Sequence, residues 1–245
     1  MLNAKKHAKK SEPRRAGKCY GSNDSGCDNL QGKQKVSVAL RFQEQSLRHS
    51  DIQLLRGPHA LNERILGFYY AYMQARRYKL QQELQFLTPP LVSSLRHLEQ
   101  RDLRRLAKQL QLPGKQFIFM PLVERQHWSL LLVSRPDRKF FYFDSEDNYH
   151  LQLARALYER LLAPLLAEDF LFRMGRCLQQ SPGKGYESGV HLMCMTEHLA
   201  DYVLRCGYAT STLLISKQEV LNMRGAQLQL IRTLGGILPK GCCQD

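Results

Sequence analysis

His127, Asp144 and Ser188 are polar residues set at the ends of apolar runs, and together they have the parts of an acyl-transfer site. His127 opens His127-Trp-Ser-Leu-Leu-Leu-Val133, Asp144 closes Lys139-Phe-Phe-Tyr-Phe143, and Ser188 begins a long apolar stretch with Gly189 beside it. A nucleophile in the first turn of a helix feels the positive end of the macrodipole and has free backbone N–H groups next to it. Those N–H groups, with a side-chain amide from Gln179 or Gln180 just upstream, can form an oxyanion hole. An imidazole within reach acts as general base, and an acid fixes its tautomer. Glycine after the nucleophile lets a substrate backbone approach closely. On spacing alone a plainer reading stands beside this one, with His127 at a strand edge, Asp144 in a turn and Ser188 capping a helix.

The elements that must position these residues are legible from periodicity. Strands are predicted over 117–123, 127–133 and 139–143, joined by short polar turns and therefore neighbours in a mostly antiparallel sheet, with another strand near 170–172. Before them, apolar residues recur at helical spacing from Leu61 to Arg77, with Asn62 at the start as a cap, and two short amphipathic helices are expected around 90–98 and 101–111. After them, helices are expected at 150–166, from Ser188 to about Leu204, and from about Gln218 to Leu234. The helix from Ser188 is apolar nearly all round and should be central and buried. Helices, then strands, then helices indicate an α+β fold.

Composition bounds the class. A chain of 245 residues, 43% of them hydrophobic, can bury one substantial core with a tail to spare. Residues 1–36 hold nine Lys and Arg against three Asp and Glu and almost no apolar residues. We expect a disordered basic tail there, a folded domain over 37–238, and a short C-terminal tail over 239–245. The net charge of +14 favours acidic partners, so nucleic acid bound by the basic tail is one candidate. No apolar stretch reaches membrane-helix length and the first residues lack a signal peptide, so no membrane partner is expected and the expected location is cytoplasm, nucleus or both. Seven irregularly spaced cysteines read as free thiols. His191, Cys194 and His198 fall on one helical face, but no fourth ligand is evident and core packing explains them better; no metal and no cofactor is expected.

In the order and wording of its motifs the chain resembles the Ulp/SENP proteases of ubiquitin-like modifiers, most closely their deneddylase branch. The matching segments are His127-Trp-Ser-Leu-Leu131, Tyr142-Phe-Asp-Ser145, Gln179-Gln180, and Glu187-Ser-Gly189 running on to Cys194-Met-Thr-Glu197. Leu61-Asn62 with Ile65-Leu-Gly-Phe68 upstream, and Arg224-Gly225 with Leu230-Ile231 downstream, extend the likeness over roughly 44–235. The resemblance implies a papain-like cysteine protease fold of the Ulp/SENP type, with a central mostly antiparallel sheet flanked by helices. It implies His127 as general base, Asp144 as its orienter and Gln180 or Gln179 as oxyanion donor. Trp128 would cover a narrow tunnel for a modifier's Gly-Gly tail, and Asn62, Glu63 and Gly189 would lie on the substrate side. The implied partner is a ubiquitin-like modifier and its conjugates, Nedd8-type first and SUMO second.

The pattern is broken where it matters most. Ser188 stands at the position of the nucleophilic cysteine. A thiol can be driven to thiolate by an adjacent imidazolium and a helix dipole, whereas a hydroxyl is far too weak an acid for that ion pair. Ala60 stands where the family has a tryptophan forming the tunnel's other wall. Glu187 replaces aspartate before the nucleophile, and the link from Gln180 to Ser188 is about two residues longer than the family's. Two functions follow as expectations: a deneddylase-like hydrolase weakened by Ser188, or a pseudo-protease that binds a modifier's tail without cutting it.

Overall fold

The computed structural model describes residues 37–238; the segments 1–36 and 239–245, read above as tails, lie outside the described residues. The chain opens with a hairpin of β1 (Val38–Phe42) and β2 (Gln45–Arg48), which the sequence reading missed, and passes into α1 (His49–Arg56). The run expected from Leu61 forms α2 (Glu63–Tyr72), starting two residues late because Asn62 is its cap, with Oδ1 accepting the Ile65 N–H at 3.1 Å. Its last turn widens to a π-helical segment, Met73–Arg77. A short strand β3 (Leu84–Phe86), also unanticipated, precedes α3 (Pro89–His97) and α4 (Gln100–Gln109).

The three central strands fall close to where periodicity put them: β4 (Phe117–Glu124), β5 (His127–Ser134) and β6 (Lys139–Phe143). Helix α5 (Leu151–Leu161) is shorter than expected because Pro164 cannot continue it. Strand β7 (Leu171–Met174), the buried α6 (Ser188–Cys206) and α7 (Lys217–Thr233) complete the chain. The sheet runs β3-β4-β5-β6-β7. Its long central pairings are antiparallel, while the short edge strands β3 and β7 pair in parallel after helical crossovers.

Alternation along the strands divides two cores. Phe117, Phe119, Leu130, Leu132, Phe141 and Phe143 face a cluster with α2, α6 and the hairpin. Ile118, Met120, Leu131, Val133, Phe140 and Tyr142 face the opposite cluster with α3, α4 and α5. The period of two in side-chain direction is what lets one sheet serve both. α6 lies against β5 on the first face, so its N-terminus comes to the end of the sheet where β5 begins.

Among the described residues no helix is long and apolar enough to cross a membrane.

Candidate active site

His127 is placed by a hairpin. Arg125 and Gln126, the two residues linking β4 to β5, both have positive φ (49° and 65°). Positive φ at both central positions is the class of tight turn that matches strand twist. It starts β5 at His127, paired with Glu124. Asp144 follows the last residue of β6, and because β5 and β6 are antiparallel neighbours it arrives beside His127. Nε2 of His127 lies 2.6 Å from Oδ1 of Asp144, with both residues buried.

Asp144 is held from several sides. Oδ1 also accepts the Glu146 N–H at 3.0 Å, and Oδ2 accepts the Tyr142 hydroxyl at 2.5 Å and the His150 N–H at 3.1 Å. Burial alone would raise its carboxyl, but the bonds from His127 and Tyr142 outweigh that and hold it below the ordinary aspartate value. His150 sits against His127, ring centroids 4.9 Å apart, and bonds Ser129 Oγ through Nδ1 at 2.8 Å. Burial, with the neighbouring His127, pushes His150 down to about 4. His127, Asp144 and His150 could bring ligand atoms within 4.8 Å of one another, but both Asp144 oxygens are already used as acceptors. The His191, Cys194 and His198 face is not gathered into such a group among the described residues.

Ser188 is the first residue of α6, entered from a 3-10 turn at Gly185–Glu187. It is buried, and its Oγ accepts the backbone N–H of Trp128 at 3.2 Å. The fold thus brings Ser188 against the residue next to His127. The imidazole does not engage it: Nδ1 of His127, the nitrogen left after Nε2 meets Asp144, makes no hydrogen bond. That nitrogen lies 3.2 Å from Oε2 of Glu146, in ion-pair range without hydrogen-bond alignment.

The two glutamines are present at the site but occupied. Gln180 Nε2 donates to Glu146 Oε2 at 2.6 Å, and Gln179 Nε2 donates to the Asp144 carbonyl at 3.0 Å. Trp128 is fully buried, and its indole N–H donates to the Leu61 carbonyl at 2.8 Å, tying the approach to α2 onto β5. Gly189 has a packing reason: a Cβ there would meet Leu61 Cβ at 3.0 Å and Trp128 Cδ1 at 3.3 Å. Asn62, expected on the substrate side, spends its amide inside the fold, capping α2 and donating to Asp51 Oδ1 at 2.7 Å. Glu63 is exposed in the first turn of α2. Ala60 lines a cleft of about 430 Å³ with His127, Glu146, Tyr149 and Tyr186, and no aromatic wall stands at its own position.

Among the described residues, neither Cys177 nor Cys194 is suited to act as a nucleophile in place of Ser188. Burial pushes Cys177 and Cys194 each up to about 12, the reverse of what a nucleophile needs. The residues the sequence reading missed are Glu146, Tyr142 and His150. Only the chain positions of Tyr142 and Glu146, two residues either side of Asp144, hinted at a role for them.

The model of the Ulp1 protease family's C-terminal catalytic domain matches residues 59–227. Human sentrin-specific protease 8 is 26% identical over 212 residues, covering 80% of this chain and 97% of that protein. The NEDD8-specific protease 1 of Arabidopsis thaliana is 22% identical over 174 residues, covering 66% of this chain and 75% of that one. Among solved structures, the SUMO protease Ulp1 with its catalytic cysteine oxidised to a sulfenic acid superposes with a TM-score of 0.67 at 20% identity, covering 80% of this chain and 88% of that one. The Ulp1 protease domain in complex with Smt3, the yeast ortholog of SUMO, gives 0.66 at 20% identity, over 83% and 90%. The solved structures share the fold, and the match over 59–227 makes this chain a member of the Ulp1 protease family.

Proposed function

We propose that the chain recognises the C-terminal Gly-Gly tail of a ubiquitin-like modifier of the NEDD8 type, and that it holds this tail without cutting it at a rate useful for turnover. The NEDD8 preference is supported by the relatives that align over most of their length, sentrin-specific protease 8 and NEDD8-specific protease 1. The loss of cutting is carried by one observation: Ser188 Oγ is held by the Trp128 N–H, while Nδ1 of His127 faces the Glu146 carboxylate and not the hydroxyl. A serine nucleophile needs the base to take its proton during attack, so a base turned to another group leaves the hydroxyl inert. Replacing sulfur by oxygen does not alter the surfaces that hold a tail, so binding outlives catalysis. The preference for cytoplasm or nucleus belongs to the same proposal.

Slow hydrolysis through Ser188 is the second reading, favoured by the intact 2.6 Å contact between His127 and Asp144. Fluorogenic substrates built on the C-termini of NEDD8 and SUMO separate the two. The expected result is saturable binding of the NEDD8 substrate with no release of fluorophore. Turnover at the rate of an ordinary cysteine protease of this family would defeat the binding-module reading, and absence of both binding and turnover would defeat both.

A further inference from the structure

Glu146 belongs to none of the motifs that mark the family, yet its carboxylate stands between the two groups expected to act on a substrate. The turn after β6 fixes it there. Asp144 Oδ1 accepts the Glu146 N–H at 3.0 Å, the Glu146 carbonyl accepts the Tyr149 N–H at 2.8 Å, and Asp147 and Asn148 take positive φ to close the loop. From this backbone the side chain reaches Gln180 Nε2 at 2.6 Å and His127 Nδ1 at 3.2 Å.

We propose that Glu146 is a specificity-determining residue that makes the site prefer a modifier tail in amide linkage over the same tail ending in a free carboxylate. The proposal rests on the tail-binding reading above. A terminal carbonyl in amide linkage is neutral. It can accept the second N–H of the Gln180 amide while the Glu146 carboxylate, 46% exposed, keeps its place beside His127. A free carboxylate brings a further negative charge to a place that already holds two, Asp144 and Glu146, around the His127 imidazole. His150, the second imidazole packed on His127, is held down to about 4 and adds no positive charge near neutral pH. Arg125 and His59 on the cleft wall are exposed, and solvent screens them. Selection here works by repelling the wrong partner. A chain with this preference would read conjugates and ignore the free modifier.

The test uses NEDD8 and SUMO, each prepared with a free C-terminus and with a C-terminal methylamide, titrated by calorimetry against the full chain and its Glu146→Gln variant. Glutamine keeps an acceptor oxygen for Gln180 and removes the charge, and a thermal melt confirms that the exposed substitution leaves the fold intact. The unmodified chain should bind the methylamide about 5–10-fold more tightly than the carboxylate, the scale of a solvent-discounted like-charge repulsion. In Glu146→Gln the ratio should fall to near one, and in the unmodified chain it should shrink as salt is raised. Equal affinity for both forms, or an unchanged ratio in the variant, overturns the role of Glu146 and leaves tail binding standing. No binding of any form by either chain overturns the tail-binding reading, and this proposal with it.

Discussion

The backbone N–H of Trp128 donates to Ser188 Oγ at 3.2 Å, so the residue that follows His127 in the chain is the one that holds Ser188. A sulfur at position 188 would be longer-bonded and more acidic, and could form an ion pair with His127 without waiting for proton transfer in the transition state. Ser188→Cys should therefore raise kcat/KM on a NEDD8 C-terminal fluorogenic substrate by about 100-fold or more, the range of one positioned acid–base partner. Adding His127→Ala to that variant should remove the gain while leaving substrate affinity in place. A Ser188→Cys chain with no more activity than the parent would mean that His127 cannot be turned from Glu146.

Ala60 leaves one side of the 430 Å³ cleft without an aromatic wall. Ala60→Trp should tighten binding of a modifier ending in Gly-Gly by about 10-fold, as expected when an aromatic face closes over an extended backbone. The effect should vanish for a tail whose last two residues carry side chains, since the closed wall excludes them. Titration of both tails against both chains measures it.

Asp51 is a buried carboxylate accepting from Arg64 Nε at 2.8 Å, Arg64 Nη2 at 2.7 Å, Asn62 Nδ2 at 2.7 Å and the Arg48 N–H at 2.8 Å. Burial raises its carboxyl, but the bonds from Arg64 and the Arg48 N–H more than offset that and leave it below the ordinary aspartate value. A depressed folded value means stability that is complete above the unfolded value and is lost as pH falls through the folded one. Asp51→Asn should cost about 1–3 kcal/mol near neutrality, where the charged bonds are made, and progressively less in acid. Urea unfolding across the acid range should show the two chains converging. A constant difference would mean that the loss is packing alone.

His150 supplies a second acid-sensitive term at higher pH. Its folded value, about 4, lies below that of an ordinary histidine, so the unfolded chain takes up its proton first. The stability of the neutral form is present above the ordinary histidine value and is lost as pH falls from there to about 4. His150→Asn keeps a partner for Ser129 Oγ and cannot charge. It should be less stable near neutrality and should lose less on acidification through that window. Parallel slopes in denaturant midpoint against pH would remove His150 as the cause.

Much of the fold was legible because periodicity is strong where burial is complete: β4, β5, β6 and α6 lie within a few residues of their expected bounds. The hairpin Val38–Arg48 was not, since its turn at Gln43 carries neither glycine nor asparagine and its strands are short. Three-residue β3 is too brief to show a period. At the site, His127, Asp144 and Ser188 were readable by type and chain position. The aim of His127 at Glu146, and the capture of both glutamine amides by the same loop, were not. They depend on positive-φ turns and on side chains of Gln179, Gln180 and Glu146, residue types common in any exposed loop.

Tyr142 has its ring in the layer of α3, α4 and α5 and its hydroxyl on Asp144, so the acid is aimed from the side of the sheet that faces away from α6. A deep mutational scan read for catalysis in a Ser188→Cys background would then score positions under α5 as sensitive, although none of them touches the cleft. The same scan read for modifier binding would pass over them. Two maps drawn from one library would disagree along this hidden layer, and the disagreement would trace the path from Tyr142 to Asp144.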